Sequence, residues 1–306
     1  MCAGSLRQSS FLLLTASLFF LQHAETLRGA NPQSAEQLLS RIQVAQEGSS
    51  SKSDREEAIR QIPFAKLNAA QQQEVRGIVN STDLFRRLPT LNFEVDPTVY
   101  RYFVDHPDVV VSIWRALNVS QYQMKQTGAQ DYEADSGDGT LGVLEVLYRD
   151  ENHQIVLCQG EMTSPILKRK IRSQAILHLV SVPSTDRNGR TFVTHRVDMF
   201  VAFPNQGFGA AAKLTKPFSS LIIDRNFQEV SLFVQMMSLA MMHQPDWVEN
   251  LTGKMEGVLE VRKKELIDLT ARVFVANQER NQSNADAVED EERKVAAQPL
   301  DISAMK

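Results

Sequence analysis

Cysteine is nearly absent. The chain has two, Cys2 and Cys158, and Cys2 lies in an N-terminal stretch that reads as an export signal. Cys158 is then alone and cannot form an intramolecular disulfide, which excludes a disulfide scaffold. Charge of one sign is lacking too. Lys and Arg number 33 against 37 Asp and Glu, a formal net charge of -4, so there is no basic excess of the kind that marks a nucleic-acid binder. Glycine and proline are sparse and aperiodic, which excludes a collagenous chain. No apolar run approaches the ~20 residues of a bilayer-crossing helix, so no multi-pass membrane span is expected. No internal repeat is present.

The familiar chemical motifs are missing or incomplete. There is no G-x-S-x-G nucleophile elbow. Gly207-Phe-Gly-Ala-Ala-Ala-Lys lacks the Gly-Lys-Ser/Thr ending of a phosphate loop. Asp131, Glu133, Asp135 and Asp138 cluster without the twelve-residue calcium loop, and read as a solvated hairpin tip. Lys168, Arg169, Lys170 and Arg172 form a short basic cluster, read as a solvated face. His178 and His195 sit near Glu161 and Asp198 in sequence, yet strand parity divides them. Over residues 191–201, His195 shares a face with Val193, Val197, Met199 and Val201, while Asp198 faces the other way with Phe192, Thr194, Arg196 and Phe200. That is an incomplete zinc set, so no metal or cofactor is expected. His195 reads first as a hydrogen-bonded core histidine, with a general-base or ligand-orienting role as the alternative. Cys158, in the run Ile155-Val-Leu-Cys, reads as a small buried hydrophobe.

What is present begins with an address. Residues 1–24 carry Arg7 followed by an apolar stretch over 11–21, the pattern of a secretory signal. Gln22 stands where a small residue is preferred before cleavage after Ala24. Cleavage there and retention as an N-terminal anchor are both open. In either case the protein is expected to be exported, either secreted or periplasmic.

Residues 25–89 read as a polar linker with short helices. Pro63 divides a helical pattern over 55–79, and Asn68 with Gln71 forms a capping box. Residues 91–95 alternate as a strand. Asp96-Pro97 then supplies an N-cap and a first-turn proline, opening a short helix that His106-Pro107 interrupts. A second helix runs over 107–117 and Asn118 ends it. The period then changes to two over 119–126, with Tyr122 and Met124 on one face. Strands follow over 141–148, 153–162, 166–171, 174–182 and 190–203, an antiparallel meander. A helix over 227–242 carries Phe227, Val230, Phe233, Val234, Met237 and Met241 at three-four spacing. Pro245 opens a helical extension to about residue 279, and residues 280–306 read as a disordered tail.

The order of strand, two short helices, meander and long helix resembles the helix-grip fold of the START-like and polyketide-cyclase-like superfamily over residues 90–244. The resemblance implies an α+β domain in which a curved antiparallel sheet wraps on a long C-terminal helix, with extra helices at both ends. It also implies an apolar cavity between sheet and helix for lipids or other hydrophobic small molecules. Tyr122, Met124, Phe233, Met237 and Met241 are the positions expected to face it, with His195 as a polar contact. The competing expectation for the methionines is ordinary core filling. Non-catalytic binding of a hydrophobic small molecule or lipid is the leading functional expectation. A solid-core interaction protein that self-associates through its terminal helices is the alternative, and an enzyme using His195 stands third.

Overall fold

The alternation along residues 191–201 belongs to the strand around which the sheet is organised. The computed structural model describes residues 41–137, 140–164, 169–187, 189–204 and 220–296, with the side chains of 162–169 and 283–296 excluded. The stretch read as an export signal, Asp138, Lys168, the Gly207–Lys213 stretch and the residues after 296 lie outside that description. Nine strands form one antiparallel sheet: β1 (Gln43–Gln46), β2 (Leu84–Arg87), β3 (Thr90–Glu94), β4 (Gln123–Gln126), β5 (Asp131–Asp135), β6 (Leu141–Arg149), β7 (His153–Ser164), β8 (Arg169–Thr185) and β9 (Thr191–Ala202). Their order is β1-β3-β9-β8-β7-β6-β5-β4, and the sheet does not close. From β4 to β9 the strands are sequential neighbours, as short turns dictate.

One edge of β9 is shared by two short strands. β3 pairs its first half, from Glu94 opposite Phe192 to Leu91 opposite His195. β2 pairs its second half, from Arg87 opposite Asp198 to Leu84 opposite Val201. Pro89, which has no N–H to give the ladder, separates them, and the Leu88 N–H bridges the break to the Val197 carbonyl at 2.8 Å.

Helices cover both faces. α1 (Lys52–Gln61) starts on Ser51, whose side chain accepts from Asp54 N–H, and α2 (Ala69–Asn80) opens with the expected Asn68/Gln71 capping box. Ala58, Ile62, Val75, Ile78 and Val79 bury against Phe85, Ile155, Leu157, Ile176 and Phe200 on one face of the sheet. These residues are therefore part of the domain, which begins well before Thr90. The opposite face carries α3 (Pro97–Asp105), α4 (Pro107–Ala116), α5 (Ser220–His243), α6 (Pro245–Thr252) and α7 (Glu260–Ala296). Asp96 caps α3 through Thr98 N–H and Val99 N–H. Residues held out of the helical region before proline close two helices, His106 (φ -130°, ψ 70°) after α3 and Gln244 (φ -138°, ψ 56°) after α5. Asn118 takes a left-handed φ of 57° beyond α4, the conformation its short polar side chain tolerates.

Along the chain the secondary structure departs from the sequence expectations as well. The acidic segment read as a hairpin tip is strand β5, whose Tyr132 and Ala134 turn inward while Glu133 and Asp135 stay wet. The strands expected over 166–171 and 174–182 are one, β8. The helical extension is two helices, separated by a turn in which Gly257 has φ +76°. Finally, α7 runs on to Ala296, past the point at which a tail was expected.

On the α1/α2 face, a buried ion pair fixes the helix layer to the sheet. Asp198 is fully buried and Arg87 almost so. Arg87 donates Nε and Nη2 to the two Asp198 oxygens at 2.7 and 3.2 Å, and its Nη1 reaches Glu57 of α1 at 3.2 Å. Removing one partner strands a buried charge. Asp198→Ala is expected to cost about 3–5 kcal/mol in denaturant unfolding, whereas Arg60→Ala on the exposed side of α1 should stay within about 0.5 kcal/mol.

Candidate ligand cavity

The position of α5 is set by polar bonds to one side of the sheet. Arg86 of β2 forms a two-pronged pair with Asp224, its Nε donating at 3.0 Å. His195 of β9 meets Ser231 at 2.9 Å. Gln235 Nε2 donates to the Glu94 carbonyl at 3.1 Å, and Ser238 Oγ accepts from Asp96 N–H at 3.0 Å. Gly48 makes room for the first of these, since a Cβ there would lie 2.5 Å from Arg86 Nη2.

Beyond those attachments the apolar face of β6–β8 passes under α3, α4 and α5 without being filled. A cavity of about 300 Å³ remains. Its floor includes Leu144, Val146, Val156, Leu177 and Leu179. Phe103, Val110 and Trp114 wall one side, and Ile223, Phe227, Val230 and Val234 of α5 roof it. No Lys, Arg, Asp or Glu lines it among the described residues. A larger groove of about 980 Å³ crosses the β4–β8 end of the sheet. Four of its charged side chains are paired, Lys125 with Glu133 at 3.0 Å and Arg172 with Glu161 at 3.3 Å, and Leu141 and Val143 lie exposed along it.

Tyr122, Met124 and His195 line the cavity. Phe233, Met237 and Met241 are not among its lining residues. Phe233 packs on Trp114 and Phe103, with ring centroids 5.6 and 5.9 Å away. Met237 and Met241 are buried in the cluster that includes Val248, Leu251, Leu266 and Leu269. The cause is that α5 is apolar on two sides, and α6 and α7 take the methionine side.

His195 is a neutral strut with both nitrogens engaged. Ser231 Oγ–H donates to the Phe227 carbonyl at 2.7 Å, so Ser231 accepts from His195 Nε2–H. Nδ1 is then the acceptor for the Tyr100 hydroxyl, 3.0 Å away. Phe227 stacks on the ring at 4.5 Å between centroids. Burial pushes the pKa of His195 down to about 3. No lone pair is left for general-base work. Cys158 is also buried, which pushes its thiol up to about 12, far from a thiolate nucleophile.

His178 lies on the other face of the sheet, fully buried, with Nε2 3.0 Å from His153 Nδ1. Asp198 is its register partner on β9. The two histidines considered for zinc are thus separated by the sheet itself, and among the described residues no three His, Cys, Asp or Glu could hold a metal ion.

Two cavity residues escaped the sequence reading. Asn226 is only 3% exposed, and neither Nδ2 nor Oδ1 has a hydrogen-bond partner. Gln154, 6% exposed on β7, has an unpartnered Oε1. Each was visible as a polar residue in an apolar row, Asn226 within Ile223, Phe227 and Val230, and Gln154 in the inward row with Val156 and Cys158.

Comparison with known proteins adds little. No family model and no curated protein matches the chain. Among solved structures, a conserved protein from Geobacillus kaustophilus is similar at a TM-score of 0.32 and 18% identity, over 47% of this chain and 91% of its own, a likeness too slight to assign a fold family.

The buried histidines give the fold an acid-sensitive limb. An unfolded histidine titrates near 6.5. Burial holds His195 at about 3, and burial with His153 alongside holds His178 at about 4. As pH falls through 6.5 the unfolded chain takes up protons that the folded chain refuses, so stability is lost from there down to the folded values. Denaturant unfolding between pH 7 and 4 should show this fall. His195→Gln should flatten it by up to about 1.4 kcal/mol per pH unit.

Proposed function

We propose that this protein binds a small apolar molecule between the sheet and α5, without catalysing covalent change. The observation that carries the reading is the 300 Å³ cavity lined by apolar side chains and free of ionised groups among the described residues. Protein interiors are ordinarily packed without such space, and apolar walls that face it forgo the contacts that packed side chains make. A guest would recover part of them. The size falls at the lower end of ligand pockets, about 300–1,000 Å³, and the lining matches their apolar character.

On this reading α5 plays the part of the gripped helix of the START-like superfamily. The engaged nitrogens of His195 favour binding over catalysis. The 1–24 pattern favours an exported protein. N-terminal sequencing of the protein from its native host would settle that point by finding the chain beginning near residue 25, against an intact Met1 in the cytoplasmic fraction.

The cavity itself is tested with n-nonane, a pure hydrocarbon. Saturating nonane should raise the melting temperature of the full chain by about 2 °C or more through mass action. Val230→Phe, which fills the roof of the cavity, should abolish that rise. No shift in the native chain, or an equal shift in the filled variant, would remove the proposal.

A further inference from the structure

We infer that the guest is a neutral amphiphile of about ten non-hydrogen atoms whose hydroxyl head is held by Asn226. This rests on the cavity being a binding site, and adds the ligand's polarity, charge and size.

Polarity comes from the one amide in the roof that has nothing to bind. Tyr100, His195, Ser231 and the Phe227 carbonyl form a closed chain of hydrogen bonds, and across the cavity Gln154 leaves only its Oε1 unpartnered. Asn226 is equally buried, yet both ends of its amide are unpaired. Polar side chains inside helices of this protein ordinarily turn back to the preceding turn, as Ser231, Thr252 and Thr270 do, each donating to a carbonyl four residues earlier at 2.7 Å. Asn226 makes no such bond. More than about 90% of buried polar groups in native proteins have a partner, and an unpaired buried amide costs about 1–3 kcal/mol. A water would find few further partners among Ile223, Phe227 and Val230. A hydroxyl suits an asparagine amide well, because it donates to Oδ1 and accepts from Nδ2.

Charge follows from the lining. With no cationic or anionic side chain and a histidine held neutral, a carboxylate or ammonium would lose its hydration without a counter-charge. Size follows from volume. A methylene occupies about what a water does in the liquid, ~30 Å³, so 300 Å³ admits about ten such groups.

The test uses the full chain with three probes of matched length: 1-octanol, n-nonane and octanoate at pH 8, measured by calorimetry or melting shift. The octanol-to-nonane affinity ratio should fall about tenfold in Asn226→Leu, with Asn226→Ala as a second variant that relieves the same unpaired amide. Without ligand, Asn226→Leu should melt no lower than the native chain. Octanoate should bind at least tenfold more weakly than octanol. An unchanged ratio in both variants would overturn the role of Asn226, and octanoate binding as tightly as octanol would overturn the neutral head; either result leaves nonane binding, and so the cavity, intact. Failure of both nonane and octanol to bind the native chain would defeat the cavity reading and this inference with it.

Discussion

The arrangement depends on α5 being tied to the sheet, among the described residues, along one side. Hydrophobic packing is non-directional and would let a helix settle wherever the most apolar area is covered. The bonds from Arg86, His195, the Glu94 carbonyl and the Asp96 N–H are directional, and all come from β2, β3, β9 and the turn after β3. They fix the helix over that part of the sheet. The face of β6–β8 then has α3 and α4 beside it and α5 above it, and the space between stays open. His195 is central because it joins three elements distant in sequence: β9, α3 through Tyr100, and α5 through Ser231.

The two faces of the sheet treat polar groups differently. On the α1/α2 side the buried charges are paired, Arg87 with Asp198 and Glu57, and His178 rests against His153. On the α5 side the cavity holds polar groups without ionised ones among the described residues. Its candidate base is committed at both nitrogens, and Cys158, outside the lining, is pushed away from ionisation by burial.

Much of the local structure was legible in the chain because it is decided locally. The Asn68/Gln71 box, the Asp96-Pro97 start and the Asn118 stop each depend on neighbours within a few residues, and each is found. Parity along β9 correctly set His195 and Asp198 on opposite faces. What depends on distant partners was not legible. β2 is four residues long and is a strand only because β9 lies beside it. In β5, acidic residues alternate with Tyr132 and Ala134, and the charges hid the period. The methionines of α5 carry two expectations, cavity and core, because a helix apolar on two sides does not say which neighbour takes which side; the core holds them. Asn226 and Gln154, by contrast, interrupt apolar rows in plain view, and a buried unpaired amide is the kind of exception that marks a site.

The open space beneath α5 has a consequence for hydration. Water that enters it meets apolar walls and few polar partners, Asn226 and Gln154 among them, so it is loosely held and easily displaced. The uneven attachment of α5 leaves this face of the sheet wetted where a centred helix would have dried it.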